Sequence, residues 1–290
     1  MTTAKAASIH ARLLARAKER GDDFNLILTR FAIERFLYRL SLTTARDAFW
    51  LKGALLFDLW FDVPHRPTRD ADFLRVGYAD PEALAKEIRE TCQVTVDDDG
   101  MTYDPDSITI EETRENARYG GMRVRLLGNL GKARIPVQLD VGFGDAVTPG
   151  PEEAVYPTLL DDLPPPRLRV YPREAFLAEK LEAIVSLGMA NSRMKDYFDL
   201  RALVREGEFD MLVAAEAIAA TFDRRKTKLP DDTPLGLSEE FAYDQGKRTQ
   251  WSAFLNRNRL EAPPLNEIIS EIRQALAEPL ELARKSMRES

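Results

Sequence analysis

The apolar pattern of this chain changes once, at Pro172, and that change limits its folds most. From Phe49 to Phe143 several runs alternate with period two, as strands do; past Pro172 every patterned segment repeats with a helical period. Strands are thus confined to the first part, which makes an α+β chain rather than an alternating α/β one. The 290 residues suffice for two ordinary domains. We expect a small mixed sheet flanked by helices over 1–170 and an all-helical lobe over 171–290.

In the first part the periodicity predicts helices over 7–20, 23–41 and 81–92. It predicts a short strand entering Gly53, a mostly apolar helix after it, and strands over Asp70–Val76, Ser107–Glu111, Met122–Leu127 and Ile135–Phe143. Residues 144–172, rich in Pro and Gly, read as a connection between lobes. Helices follow over Arg173–Leu187, Ser192–Glu206 and Phe209–Phe222, then near Ser238–Asn256 and Leu265–Lys285.

A net charge of −7 supplies no overall attraction to nucleic acid or an anionic membrane, so a polyanion has to meet a local basic patch. The single cysteine, Cys92, rules out an intramolecular disulfide and a cysteine-rich zinc site, and it reads as a packed thiol on a helix. No apolar run approaches the ~20 residues of a membrane-spanning helix. A cytoplasmic location is expected.

The stretch HRPTRDADF, His65 to Phe73, carries the first chemical signal. On a strand, Asp70 and Asp72 share one face, and Ala71 and Phe73 the other. Two carboxylates so close need a cation, and a hard divalent ion such as Mg²⁺ answers that need. Asp140 lies mid-strand between apolar neighbours in VQLDVGF and is the candidate third carboxylate. Such a set suits a two-metal site for phosphoryl or nucleotidyl transfer, while a solvated strand edge explains the Asp70–Asp72 pair as well. Gly53 and Ala54 stand between a strand and a helix, where small residues let backbone N–H groups approach a phosphate; a tight turn alone also explains them.

In REAFLAEKLEAIVSL, Phe176, Leu177, Leu181, Ile184 and Leu187 mark the buried stripe. Lys180 falls inside it, and Glu179 and Glu182 outside. Lys180 either snorkels outward or meets an anion in a cleft. In NSRMKDYFDL, Asp196 lies near the packing face and needs a partner, for which Lys180 is the candidate; Asp199 reads as part of an ion-pair ladder along its own helix.

Taken in order, LKGALLFDLW, RPTRDADF, VQLDVGF, FLAEKLEAI and RMKDYFDL resemble the AbiEii/AbiGii-type nucleotidyltransferase toxins, a branch of the DNA polymerase β-like nucleotidyltransferase superfamily. The resemblance runs from about Lys52 to Leu200. It implies a nucleotidyltransferase lobe joined to a helical lobe, with the active site in the cleft between them. It also implies Mg²⁺ (Mn²⁺ as a substitute), an NTP substrate and a cognate antitoxin, and transfer of a nucleotide to the 3′ end of RNA, in several members tRNA, which blocks translation. Carried over by residue, Asp70 and Asp72 resemble the metal-binding pair. Asp140 resembles the third carboxylate, which ligates the catalytic ion and helps deprotonate the attacking hydroxyl. Lys180 resembles the lysine that faces the triphosphate, and Asp196 the acid of the last motif, with Arg193 and Lys195 beside it. Gly53 and Ala54 occupy the phosphate-cradling turn. Ala54 stands where the family commonly has Gly or Ser, so Thr68 is left to supply a hydroxyl. Arg66 and Arg69 are placed to meet phosphates.

For RNA, two basic segments are candidates: Arg224, Arg225, Lys226 and Lys228, and a helix with Lys247, Arg248, Trp251, Arg257 and Arg259. A solvated loop and a tryptophan anchored in the core explain them equally. Arg123 and Arg125 share one strand face and are a further possibility. Two alternatives to RNA modification stand: nucleotide transfer to a protein, which uses the same metal site, and a non-catalytic paralogue acting as a binding subunit. Only His10 and His65 are present, which leaves no base–nucleophile arrangement for a histidine-based hydrolase.

Overall fold

A computed structural model of the chain describes residues 4–61, 65–77, 80–113, 121–144, 147–206 and 209–289. The chain forms two compact units, Met1–Asp145 with Glu152–Val170, and Ala146–Pro151 with Tyr171–Ser290.

The first unit contains helices α1 (Ala4–Arg20), α2 (Phe24–Leu40), α3 (Phe57–Trp60) and α4 (Pro81–Gln93). Its strands are β1 (Phe49–Lys52), β2 (Asp70–Val76), β3 (Met101–Glu112), β4 (Gly121–Leu130), β5 (Ala133–Gly144), β6 (Glu152–Val155) and β7 (Arg167–Val170). They form one mixed sheet in the order β3-β4-β5-β2-β1-β7-β6. β2 runs parallel to β5 and antiparallel to β1, and β1 runs parallel to β7. Alternation places Ala71, Phe73, Val124, Leu139 and Val141 on a fully buried face. The opposite face of the same strands carries Asp70, Asp72, Arg123 and Asp140, none of them fully buried.

α2 packs on β5 and is buried nearly all round, which accounts for its broad apolar side. It also buries Glu34, Arg35 and Arg39. Arg39 forms a two-pronged pair with Asp99, at 2.7 and 2.9 Å. Glu34 Oε1 lies 2.7 Å from Arg35, and Glu34 Oε2 accepts from the backbone N–H of Leu159 at 2.6 Å. Burial pushes the Glu34 carboxyl up from 4.5 to about 7, against the opposing pull of Arg35. The folded chain therefore holds a proton there that the unfolded chain has released. Folding stability should fall as pH rises from the ordinary glutamate value to about 7, and Glu34→Gln should flatten that slope in urea titrations across the window. Cys92 is packed as expected, and burial pushes its thiol up to about 12.

Three expectations for this unit are corrected. The stretch 144–172 is not merely a connection, since it contributes β6 and β7 to the sheet. Only 4 residues long each and set among prolines, these strands carry too little alternation to read. β3 starts at Met101 rather than Ser107. Its pairing shifts between Asp104 and Thr109, and Pro105 inside that shift hides the first half. The apolar segment after Gly53 is a 3-10 turn over Gly53–Leu56 followed by the single helical turn of α3, not one helix.

The second unit contains α5 (Arg173–Leu187), α6 (Met194–Glu206), α7 (Met211–Arg225), α8 (Glu239–Tyr243), α9 (Gln245–Asn258), α10 (Leu265–Ala275) and α11 (Ala277–Glu289). α5 packs on α6 and α7, α10 on α6, and α11 on α7. The two long C-terminal helices expected from the pattern are each divided. Asp244 takes an extended conformation and caps α9, accepting from Lys247 N at 2.9 Å. Pro279 would clash with the carbonyl of Ala275 in a continuous helix, and the break falls at Leu276 between them.

Candidate active site

The sheet register gathers the charged residues of the first unit into one row. Across five strands it reads Glu111, Arg123, Asp140, Asp72 and Lys52, each paired with the next. Register partners on neighbouring strands share a face. Asp72 and Asp140 therefore stand side by side, flanked in the row by a cation on each side, with Asp70 two residues along β2 on the same face.

Gly53 makes room for Asp72. Its φ is +76°, a conformation that favours glycine, and a Cβ built there falls 2.0 Å from Asp72 Oδ2. The carboxylate fills the space that any side chain at position 53 would take. Ala54 is buried beside it. Thr68 donates its hydroxyl to Asp70 Oδ1 at 2.7 Å, so that hydroxyl orients a carboxylate. Arg69 is exposed, 3.6 Å from Asp23, and Arg66 is half-buried. His65 stacks on Phe57 with ring centroids 3.8 Å apart, as a turn residue.

Asp140 is held by Arg123. The guanidinium donates from Nε to Oδ1 at 2.7 Å and from Nη2 to Oδ2 at 2.8 Å. The donor chemistry of Asp70 and Asp72, two hard oxygen ligands on one face, fits a divalent ion of the Mg²⁺ type. As placed, Asp140 does not complete a three-carboxylate cage. Among the described residues no group of three or more His, Cys, Asp or Glu side chains is arranged to hold a metal ion.

In the second unit, Lys180 neither snorkels nor stands open. Its Nζ lies 2.6 Å from Asp196 and 2.9 Å from Asp199, and 4.8 Å from the centre of the Phe176 ring. The side chains of Asp196 and Asp199 are 0% exposed and that of Lys180 is 12% exposed. Arg193 adds a bond to Asp196 Oδ2 at 2.7 Å. Burial works against the charge on Asp196, but Lys180 and Arg193 outweigh it and hold the carboxyl below its ordinary range. Asp196 thus has the partner expected for it. Asp199 does not belong to a ladder along its own helix; it faces α5. Lys195 is exposed.

The basic segments are neither bare nor aromatic-faced. Arg224 pairs with Glu179, and Arg225 with Glu179 and Glu182, while Lys226 and Lys228 pair with Asp223 and Asp231. Glu182, expected outside the stripe, is buried by these contacts, and Leu187, expected inside it, is largely exposed. Trp251 is a core residue that donates to Pro263 O at 3.0 Å. Lys247 is buried too and donates to Asn191 O at 2.9 Å. The face they share is therefore not a base-stacking surface.

Sequence reasoning missed the Arg123–Asp140 pair, although a signal for it existed. Leu130 and Ala133 close a hairpin through Gly131 and Lys132, and counting seven residues outward from each reaches Arg123 and Asp140.

The family model described as nucleotidyl transferase AbiEii toxin, type IV toxin–antitoxin system, matches residues 35–278. Among solved structures, MenT4, the nucleotidyltransferase toxin Rv2826c from Mycobacterium tuberculosis H37Rv, matches with a TM-score of 0.61 at 17% identity, over 98% of this chain and 92% of that one. JHP933 from Helicobacter pylori matches at 0.49 and 16% identity, over 100% of this chain and 97% of that one. No curated protein matches by sequence. No helix among the described residues is long and apolar enough to cross a membrane. The fold is that of the MenT4 toxin, and the chain belongs to the AbiEii nucleotidyltransferase toxin family of type IV toxin–antitoxin systems.

Proposed function

We propose that the chain moves a nucleoside monophosphate from an NTP to the 3′ end of an RNA, the acceptor end of tRNA, and so blocks translation; a cognate antitoxin is its partner. The observation that carries this reading is the Asp70–Asp72 pair, set on one sheet face with Gly53 shaped around Asp72, in a chain of this family. Mg²⁺, or Mn²⁺ in its place, would supply the positive charge that lowers the pKa of the attacking hydroxyl and offsets the triphosphate. Asp70 and Asp72 would hold it. Thr68 fixes one oxygen of Asp70, and Gly53 lets Asp72 keep its place. Arg66 and Arg69 offset charge on the phosphates. Lys180, held between Asp196 and Asp199, is assigned to the triphosphate, with Arg193 and Lys195 beside it. The 3′ oxygen of the RNA attacks the α-phosphorus, the bond to the β-phosphate oxygen breaks, and pyrophosphate leaves.

Incubation with each labelled NTP, Mg²⁺ and tRNA tests the proposal. The wild-type chain should label the RNA 3′ end. Asp72→Ala should not, while keeping its circular dichroism spectrum. Undiminished transfer by Asp72→Ala would sink the site assignment, and label found in protein alone would sink the RNA acceptor.

A further inference from the structure

We propose that Arg123 takes, on Asp140, the place of a second divalent ion, so that this chain works with one ion, held by Asp70 and Asp72. The inference rests on the reading of Asp70 and Asp72 as a metal-binding pair and departs from a two-ion site.

The register brings the three aspartates to one face, but only two of them are left to a metal. Arg123 and Asp140 are opposite one another on β4 and β5, and the guanidinium fork engages both carboxylate oxygens at 2.7 and 2.8 Å. Two parallel charge-assisted bonds are the strongest geometry available to such a pair. Gln138 approaches Oδ2 from its own strand at 3.4 Å. Neither partner is freely solvated, with side chains 30% and 21% exposed, so water screens the pair only in part. Arg125, two residues along on the same face, pairs with Glu111 at 2.8 Å. Glu111 is Arg123's register partner on the other side, so its charge is already matched.

Arginine differs from a bound ion in two ways that matter here. Its guanidinium stays charged at any working pH, and being covalently attached it does not dissociate. Asp140 is therefore neutralised before any metal arrives. A divalent ion on Asp140 would have to displace the fork from at least one oxygen and sit beside a fixed positive charge. Asp70 and Asp72 make no printed bond to an arginine side chain of β4, and Thr68, a neutral hydroxyl, is the partner seen on Asp70. Asp140 then acts as a positioning residue: it anchors Arg123 next to Asp72 and adds no ligand of its own.

Counting Mn²⁺ bound to the full-length protein, by the loss of free-ion signal in electron paramagnetic resonance, tests this without any turnover. The wild type should bind one Mn²⁺ per chain. Asp140→Asn should bind one with its affinity changed by less than about tenfold, the lower end of what loss of an indirect partner costs. Asp72→Ala should bind none. Arg123→Ala should gain a second Mn²⁺, because Asp140 is then uncovered; Arg123→Gln offers the same test with less loss of packing if the alanine variant does not fold. Two Mn²⁺ on the wild type, or loss of binding in Asp140→Asn, would overturn the inference while leaving the metal-binding pair intact. A wild type that binds no Mn²⁺ would overturn the metal-binding pair itself, and this inference with it.

Discussion

Lys180→Ala should lower the unfolding free energy by about 3–5 kcal/mol at neutral pH, the range for breaking a buried ion pair from one side. The lysine sits 2.6 and 2.9 Å from two carboxylates whose side chains are 0% exposed. Arg193 remains on Asp196 in the variant, at 2.7 Å, but Asp199 loses the ammonium that faces it from α5. Urea unfolding measures the loss. Its pH dependence is diagnostic. In the wild type the Asp196 carboxyl is depressed, so its contribution is fully present above the ordinary carboxylate range and is lost only as pH falls through the lower, folded value. In the variant, burial acts on the carboxylates with less opposition and favours their protonated forms. The deficit of the variant should therefore shrink as pH falls from 7 to about 5, the carboxylate side of neutrality. Changing both partners, Lys180→Met with Asp199→Leu, should recover much of the stability, because no orphan charge is then buried at position 199. A Lys180→Ala chain as stable as the wild type would show that the pair carries no structural weight.

Gly53→Ala should cut nucleotide transfer by about 10²-fold or more, the scale of a 1 Å misplacement of a catalytic group. The added Cβ would fall 2.0 Å from Asp72 Oδ2, so the carboxylate has to move. The backbone at φ +76° adds about 1–2 kcal/mol of strain for a residue with a Cβ. Gly21→Ala separates the two effects. Its φ is +71°, but nothing lies within 4 Å of its added Cβ, so it should show the strain in a melting curve and keep its transfer rate. Full activity in Gly53→Ala would mean that Asp72 tolerates displacement and is not the group that sets the reaction.

These two sites differ in how far the sequence announced them. The alternation of DADFLRV placed strand β2 where it is found and put Asp70 and Asp72 on one face. Periodicity placed Lys180 on the packing side of α5 and Asp196 on that of α6, which is how the two come to meet. What it could not supply were partners fixed by register or by neighbouring helices. Asp199 looked like a surface ladder residue because its own helix offers cations, and the lysine it meets lies on another helix. The burial of Trp251 and Lys247 was illegible for a similar reason: on α9 only these two of its residues are buried, and an aromatic among cations has the same pattern in a core as on a binding face. β6 and β7 were lost because a strand of 4 residues at the margin of a sheet owes its existence to the strand it lies against.

β7 has a consequence for the order in which the first unit is completed during synthesis. β1, which leads into Gly53, has one neighbour, β2, made shortly afterwards, and another, β7, that ends at Val170. The buried Glu34 waits as long for Leu159, and Asp58 for the hydroxyl of Tyr156. A ribosome that has released only the first six strands' worth of helices and strands presents a sheet open along β1, with a buried carboxylate still lacking its amide. The surroundings of Asp72 are thus finished only when the last strand emerges, so the nascent chain cannot become a working toxin much before the helical unit begins to follow it.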